Sequence, residues 1–201
     1  MEQIRVMEKP DWITWDEVAE CIQEAQKTNN KKGFDMKFGH KSGEELKESV
    51  GENGYCFVVL NESNKVIATI SLKISNIRFW WHKGDAGYHL YEAVLPDYRG
   101  TDAYFDMHIA LKKKEKELGL KLLWATTAEH NKVILKAATR TGWKQVQYSP
   151  SAKGCDYYSI IIAKWMDGCP YSERRIRFMF NLSKKVVRLL YKPGHVKRLH
   201  F

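Results

Sequence analysis

Between an apolar strand pattern over 88–95 and a long helical pattern lies the run Pro96-Asp97-Tyr98-Arg99-Gly100-Thr101-Asp102-Ala103-Tyr104. A strand that turns directly into a helix presents successive backbone N–H groups at the positive end of the helix dipole, which suits an anion. Gly100 lets an anion come close to the backbone, and Arg99 adds a cation beside it. Asp102 acts in the opposite sense: it brings negative charge to that seat and could itself cap the helix, occupying N–H groups an anion would use. The plainer reading is a turn before a helix, since short Gly- and Pro-containing runs often mark turns.

The elements around this run form a simple order. Residues 3–8 read as a first strand, and Asp11 to Lys27 as a helix with Thr14 and Glu17 as its capping box and Val18, Ile22 and Ala25 as its apolar stripe. A polar stretch over 28–42 precedes a short helix over 43–50. Strands follow at 54–60 and 65–74, then a turn region over 76–87 holding Trp80-Trp81, then the strand 88–95. From Ala103 to Leu118, Phe105, Ile109, Leu111 and Leu118 mark the packed face of a helix whose Lys112, Lys113 and Lys114 face water. A strand over 121–127, a helix from Asn131 to Thr141 closed by Gly142, and strands over 143–148 and 156–165 complete the body. The order β-α-α-β-β-β-α-β-α-β-β implies an α+β fold: a mixed, mostly antiparallel central sheet flanked by helices.

The strand, Pro96-Asp97-Tyr98-Arg99-Gly100 and the helix behind them resemble the GNAT acetyltransferase segment Pro-x-Tyr-Arg-Gly-x-Gly-x-Gly. Asp102 and Tyr104 stand where that family usually has Gly. A second segment, Asn131 opening a helix that ends in Gly142-Trp143, is similar to the family's Asn-x-x-Ala-x-x-Leu-Tyr-x-x-x-Gly-Phe. The resemblance spans roughly residues 1–166, a GNAT-like acyltransferase domain, and leaves 167–201 as a basic C-terminal extension. It implies an acyl-CoA-dependent N-acyltransferase that uses acetyl-CoA or another acyl-CoA as co-substrate, without a metal. Val94, Leu95, Arg99, Gly100, Thr101, Asp102, Ala103, Tyr104 and Asn131 would contact that co-substrate.

Acyl transfer to an amine needs a neutral nucleophile, an aligned thioester, donors for the developing oxyanion and often a proton donor for the thiolate. The Tyr that many relatives use as that donor corresponds to Ala138, and a Glu found in some relatives corresponds to Thr126. Glu92 is therefore the candidate base and Tyr158 the candidate acid, with Tyr157, His89 and His130 as further titratable groups. Each has a plainer reading: Glu92 as a solvated strand residue, the tyrosines as packing. The Trp80-Trp81 pair either shapes an acceptor pocket or covers a sheet edge.

Composition supports a folded enzyme, with 44% hydrophobic and 12% aromatic residues. The start Met1-Glu2-Gln3-Ile4-Arg5 carries no secretory signal pattern, which sets the expectation of a cytoplasmic protein. Cys21, Cys56, Cys155 and Cys169 are scattered without a C-x-x-C pair and read as reduced thiols. The net charge of +9 is concentrated: from Gly168 onward nine Lys or Arg face one acid, Glu173, a net +8. Within it, Ser172 caps a helix carrying Ile176, Met179, Phe180, Val187 and Leu190 near one face, stopped by Pro193-Gly194. That helix packs on the domain or on a second subunit as a homodimer contact, or lies on an anionic inner membrane surface. Nucleic acid is the weakest of its partners, because no nucleic-acid motif accompanies the charge. The expected acceptor is a small-molecule amine or a sugar-linked amine; the alternatives are a non-catalytic GNAT-fold binding module or a basic membrane or nucleic-acid adaptor.

Overall fold

The structure, a computed structural model, describes residues 3–31, 41–150 and 157–191. Cys155, most of the polar stretch over 28–42 and the Pro193-Gly194 stop lie outside the described residues. The expected order of elements is the observed one, with seven strands hydrogen-bonded as β1-β2-β3-β4-β5-β7-β6. The chain divides into two compact units, Met1–Ile74 with His89–Gly119, and Ser75–Tyr88 with Leu120–Phe201.

In the first unit β1 (Arg5–Glu8) pairs antiparallel with β2 (Gly54–Leu60), and β2 with β3 (Val66–Phe79), setting Val6 against Val59 and Val58 against Thr69. Phe57 to Leu60 and Ile67, Ala68, Ile70 and Leu72 are all buried, a continuous apolar run that fits strands covered on both faces. The helices α1 (Trp15–Lys31) and α2 (Gly43–Val50) pack on each other, and α3 (Asp102–Glu117) packs on β1 and β2. The Thr14–Glu17 capping box forms as expected: Glu17 Oε2 accepts the Thr14 N–H at 2.7 Å and the Glu17 N–H donates to Thr14 Oγ1 at 3.2 Å. Its stripe of Val18, Ile22 and Ala25 is buried. Cys21 and Cys56 are buried free thiols, and burial pushes Cys21 up to about 12.

The face assigned to α3 needs correction. Phe105 and Ile109 are exposed, while Ala103, Met107, Leu111 and Glu115 are buried. That stripe, spaced by four, includes a carboxylate, so apolar periodicity alone misplaces it; Glu115 is tolerated there because His89 Nε2 lies 2.6 Å from its Oε1. Among the three lysines, Lys114 is not simply solvated: it pairs with Glu8 at 3.0 Å and sits over the Tyr55 ring.

In the second unit the expected turn region over 76–87 is mostly strand. β3 runs on to Phe79 and β4 (His82–Val94) begins three residues later, because Ile77, Trp81 and Ala86 are drawn into a buried cluster with Leu122, Trp124, Val146, Ile161 and Ala163. Trp81 belongs to that core, stacked on Phe79 at 4.8 Å. Trp80 is partly buried against Tyr171. β5 (Leu122–Ala128) and β6 (Lys144–Pro150) pair antiparallel with β7 (Tyr158–Trp165). A second cluster, Leu135, Tyr148, Ile160, Ile162 and Val187, gathers the alternate residues of β7. Simple alternation would put Val146 and Tyr148 on one face, yet they enter different clusters. A register shift between Gln145 and Gln147 inserts one residue and reverses the parity.

α4 (Lys132–Arg140) and α5 (Glu173–Leu190) cover the second cluster through Leu135 and Val187. Ser172 caps α5 as expected, accepting the Arg175 N–H at 3.3 Å. Of the expected apolar face, Ile176 and Val187 are buried, Phe180 packs on the cluster, and Leu190 is exposed. Ser183 Oγ accepts the Tyr148 N–H at 2.9 Å, tying α5 to β6.

Candidate functional site

The anion-seat run lies wholly in the first unit. After β4 ends at Val94, the Leu95 N–H donates to Ile67 O at 2.9 Å, and Pro96–Tyr98 make one tight turn closed by the Tyr98 N–H on Leu95 O at 3.0 Å. α3 starts at Asp102 under a cap from Thr101, whose Oγ1 accepts the Ala103 N–H at 3.4 Å and donates to Tyr98 O at 2.7 Å. Thr101, not Asp102, thus caps the helix, since its hydroxyl is fixed over the first turn by that second bond. Gly100 takes φ +82°, open to glycine, and a Cβ there would meet nothing within 4 Å.

Thr101 occupies the Ala103 N–H, while the other first-turn N–H groups of α3 by position lack intrahelical acceptors and open space lies beside Gly100, an arrangement compatible with a phosphate group. Two groups temper the fit. Arg99 gives its Nε–H to Val94 O at 3.2 Å and its Nη2–H to Ala25 O at 2.9 Å, so it clamps the loop to the end of β4 and to α1. Asp102 is exposed in the first turn, where its charge favours the helix and disfavours an anion. Asp102→Asn is expected to tighten acetyl-CoA binding about fivefold, the equivalent of roughly 1 kcal/mol of dipole-scale electrostatics, and to lower helix stability slightly. Isothermal calorimetry on both proteins checks this; unchanged or weaker binding would place the phosphates elsewhere.

Just before this loop Tyr91 takes φ +56° within β4, a left-handed geometry uncommon for a residue with a side chain. The next side chain is Glu92. Its Oε1 lies 3.5 Å from His108 Nε2, and the Tyr104 hydroxyl interacts with the same carboxylate. Tyr104 and His108 are four apart on α3, their rings 4.5 Å apart. Burial pushes the Glu92 carboxyl up, but the His108 hydrogen bond, the His108 and His89 charges and the Tyr104 hydrogen bond outweigh it and hold the group below its usual range. The same contact, added to burial, drives the Tyr104 phenol well above its ordinary value. Glu92 still keeps about a third of its side chain exposed (32%) and can reach solvent or substrate.

No family model and no curated protein matches this sequence. Solved structures do match its shape. The Escherichia coli ribosomal-protein-S18-alanine N-acetyltransferase superposes with a TM-score of 0.60 at 15% identity, over 85% of this chain and 99% of that one. A GNAT-family acetyltransferase from Staphylococcus aureus gives 0.61 at 13% identity, over 82% and 99%. Arabidopsis thaliana NAA60, solved with a bisubstrate analogue, gives 0.59 at 13% identity, over 81% and 99%. The chain has the GNAT fold.

Within this GNAT fold, the first unit brings together Glu92, Val94, Leu95, Arg99, Gly100, Thr101, Asp102, Ala103 and Tyr104. Tyr104, expected from the resemblance to contact the co-substrate, interacts with Glu92, and His108 of the same helix lies beside that carboxylate too, a partner the sequence does not signal. The spacing of Tyr104 and His108 puts them on one helix face, but nothing local says that the face meets β4.

The second unit holds Asn131 and Tyr158. Asn131 caps α4, its Oδ1 accepting the Ile134 N–H at 3.3 Å. Tyr158 donates its hydroxyl proton to Tyr191 O at 2.9 Å, so its proton is engaged by the end of α5. Thr126 Oγ1 lies 3.0 Å from Tyr88 Oη, and Ala138 packs against the second cluster. Beside Tyr158, the buried Tyr148 hydroxyl donates to Glu129 Oε2, which also accepts Arg188 Nη2–H at 3.0 Å. Burial pushes Glu129 up, but the bonds from Tyr148 and Arg188 and the guanidinium charge outweigh it and hold it low.

A carboxyl depressed in the folded state stabilises fully above its unfolded pKa, about 4.3, and loses that contribution as pH falls through its folded value. Unfolding midpoints followed from pH 7 into acid should therefore fall less steeply below about pH 5 in Glu129→Gln than in the wild type. Parallel curves would mean that the Glu129–Tyr148–Arg188 contact contributes nothing to holding α5.

Proposed function

We propose that this chain transfers an acetyl or other acyl group from an acyl-CoA to an amine. The observation that carries the reading is the placement, within one unit, of the Glu92 carboxylate near the end of β4 and of the α3 N-terminus, with open space beside Gly100, immediately after it. The GNAT fold of the acetyltransferases it resembles supports the same reaction class.

When bound, the co-substrate supplies a thioester carbonyl. The first-turn N–H groups of α3 and the backbone at Gly100 would hold its pyrophosphate, as the resemblance implies. Glu92 attracts the ammonium form of the acceptor and takes its proton, directly or through a water, leaving a neutral nitrogen to form the new C–N bond as the C–S bond breaks; the CoA thiolate leaves and takes up the second nitrogen proton by way of water. Because its surroundings hold Glu92 ionised, the carboxylate is present at neutral pH to attract the ammonium, and a proton it takes passes readily to water. The acceptor class is a small-molecule or sugar-linked amine. The cytoplasm is the compartment where an acyl-CoA donor is expected.

The second reading is a non-catalytic GNAT-fold binding module, favoured by the engagement of Arg99 with backbone carbonyls and by the charge of Asp102. Calorimetry with acetyl-CoA and longer acyl-CoAs, followed by thiol release with a panel of amines, separates the two. Binding followed by amine-dependent thiol release supports the enzyme; absence of binding at millimolar acyl-CoA supports the module.

A further inference from the structure

The helix α5 has two apolar faces. One is spent: Ile176 and Val187 are buried, and Phe180 packs with them against the second unit's sheet. The other is Phe178, Leu182, Val186 and Leu189, spaced i, i+4, i+8 and i+11, all exposed, with Phe178 at 65% and Leu189 at 85%. Single exposed apolar residues are ordinary, but four large ones aligned along about 17 Å of helix form a patch with a function.

The charges around the stripe select its partner. At 100° per residue, Arg174 and Lys185 fall along one border, Arg177 and Arg188 lie beyond them, and Arg175 falls at the stripe's N-terminal end. The acid of α5, Glu173, is already paired with Lys144 at 2.8 Å. A second copy would bring one strongly basic face against another, which like-charge repulsion opposes. A nucleic acid would meet the cations and leave the apolar stripe in water. An anionic bilayer meets both, since apolar side chains enter the acyl boundary while lysines and arginines stay among the headgroups. Among the described residues no helix is long and apolar enough to cross a membrane, so the contact would be made lying in the surface.

We propose that the outward face of α5, centred on Phe178, Leu182, Val186 and Leu189, docks on the interface of an anionic lipid bilayer.

The test is cosedimentation of the full chain with vesicles of phosphatidylcholine alone or with about one third phosphatidylglycerol, in roughly 0.1 M salt. Partitioning at least tenfold stronger to the anionic vesicles is expected, weakened about tenfold or more by Leu182→Asp with Leu189→Asp, and also by Arg174→Glu with Lys185→Glu. All four side chains are exposed, so the thermal midpoints of both variants should match the wild type, which separates lost docking from lost folding. Three results would overturn the proposal: no partitioning by the wild type, anionic binding unchanged in the aspartate variant, or a dimer in sedimentation equilibrium that the aspartate variant dissolves while vesicles bind nothing.

Discussion

Replacing Glu92 by Gln should slow acyl transfer to an amine about a hundredfold, the lower end of what a positioned general base contributes. Gln keeps the shape and removes both the charge that attracts the ammonium and the lone pair that takes its proton. The pH profile carries more information than the rate. Because the wild-type carboxyl is held below its usual range, its acid limb should lie below the ordinary carboxylate value, and this limb should vanish in Glu92→Gln. Tyr104→Phe removes one of the bonds that hold Glu92 ionised, so the limb should move up in pH while most of the rate at pH 8 survives. Thiol release measured from about pH 3 to 9 with saturating acyl-CoA checks both. An undiminished rate in Glu92→Gln would remove this residue from the mechanism, and an unmoved limb in Tyr104→Phe would remove the positioning role of the phenol.

Trp124→Ala should be the most damaging single substitution in the second unit. Trp124 is fully buried, stacked on Tyr88 with ring centroids 4.0 Å apart and edge-on to Phe79 at 5.9 Å, at the centre of a cluster that also holds Trp81. Losing the indole forfeits its transfer free energy and leaves a cavity that stiff neighbouring rings cannot close, about 3 to 5 kcal/mol together. For a chain of this size the thermal midpoint should fall by about 10 °C or more. Trp124→Phe should recover a good part of that loss. A fall of less than about 3 °C in the alanine variant would mean that the aromatic cluster does not act as a cooperative core.

The same contrast between local and distant partners explains how far the sequence could be read. The Thr14–Glu17 box, the Ser172 cap of α5 and the short helix over 43–50 were legible because their bonds close within three or four residues. The succession of periods along the chain was legible for the same reason, and with it the α+β order and the GNAT resemblance. Where a partner is remote, the pattern misled. The packed face of α3 was read through Phe105 and Ile109, whereas the buried stripe runs through Glu115, acceptable only because His89 comes from β4. The turn over 76–87 was read too long because the pull of the Trp81–Trp124 cluster on β3 and β4 is not visible in either strand.

By itself the sequence determined the elements, their caps, the strand-turn-helix at Pro96–Asp102 and the concentration of positive charge after Gly168. Tertiary structure decided that Arg99 clamps backbone carbonyls, that Tyr104 and His108 reach Glu92, that Tyr158 spends its proton on Tyr191, and which side of α5 stays outside. Short-range hydrogen bonds and helical or strand period are set by a few consecutive residues. Which side chains meet depends instead on register, on a bulge such as that between Gln145 and Gln147, and on helix rotation, all of which are fixed only when distant segments bury their surfaces together.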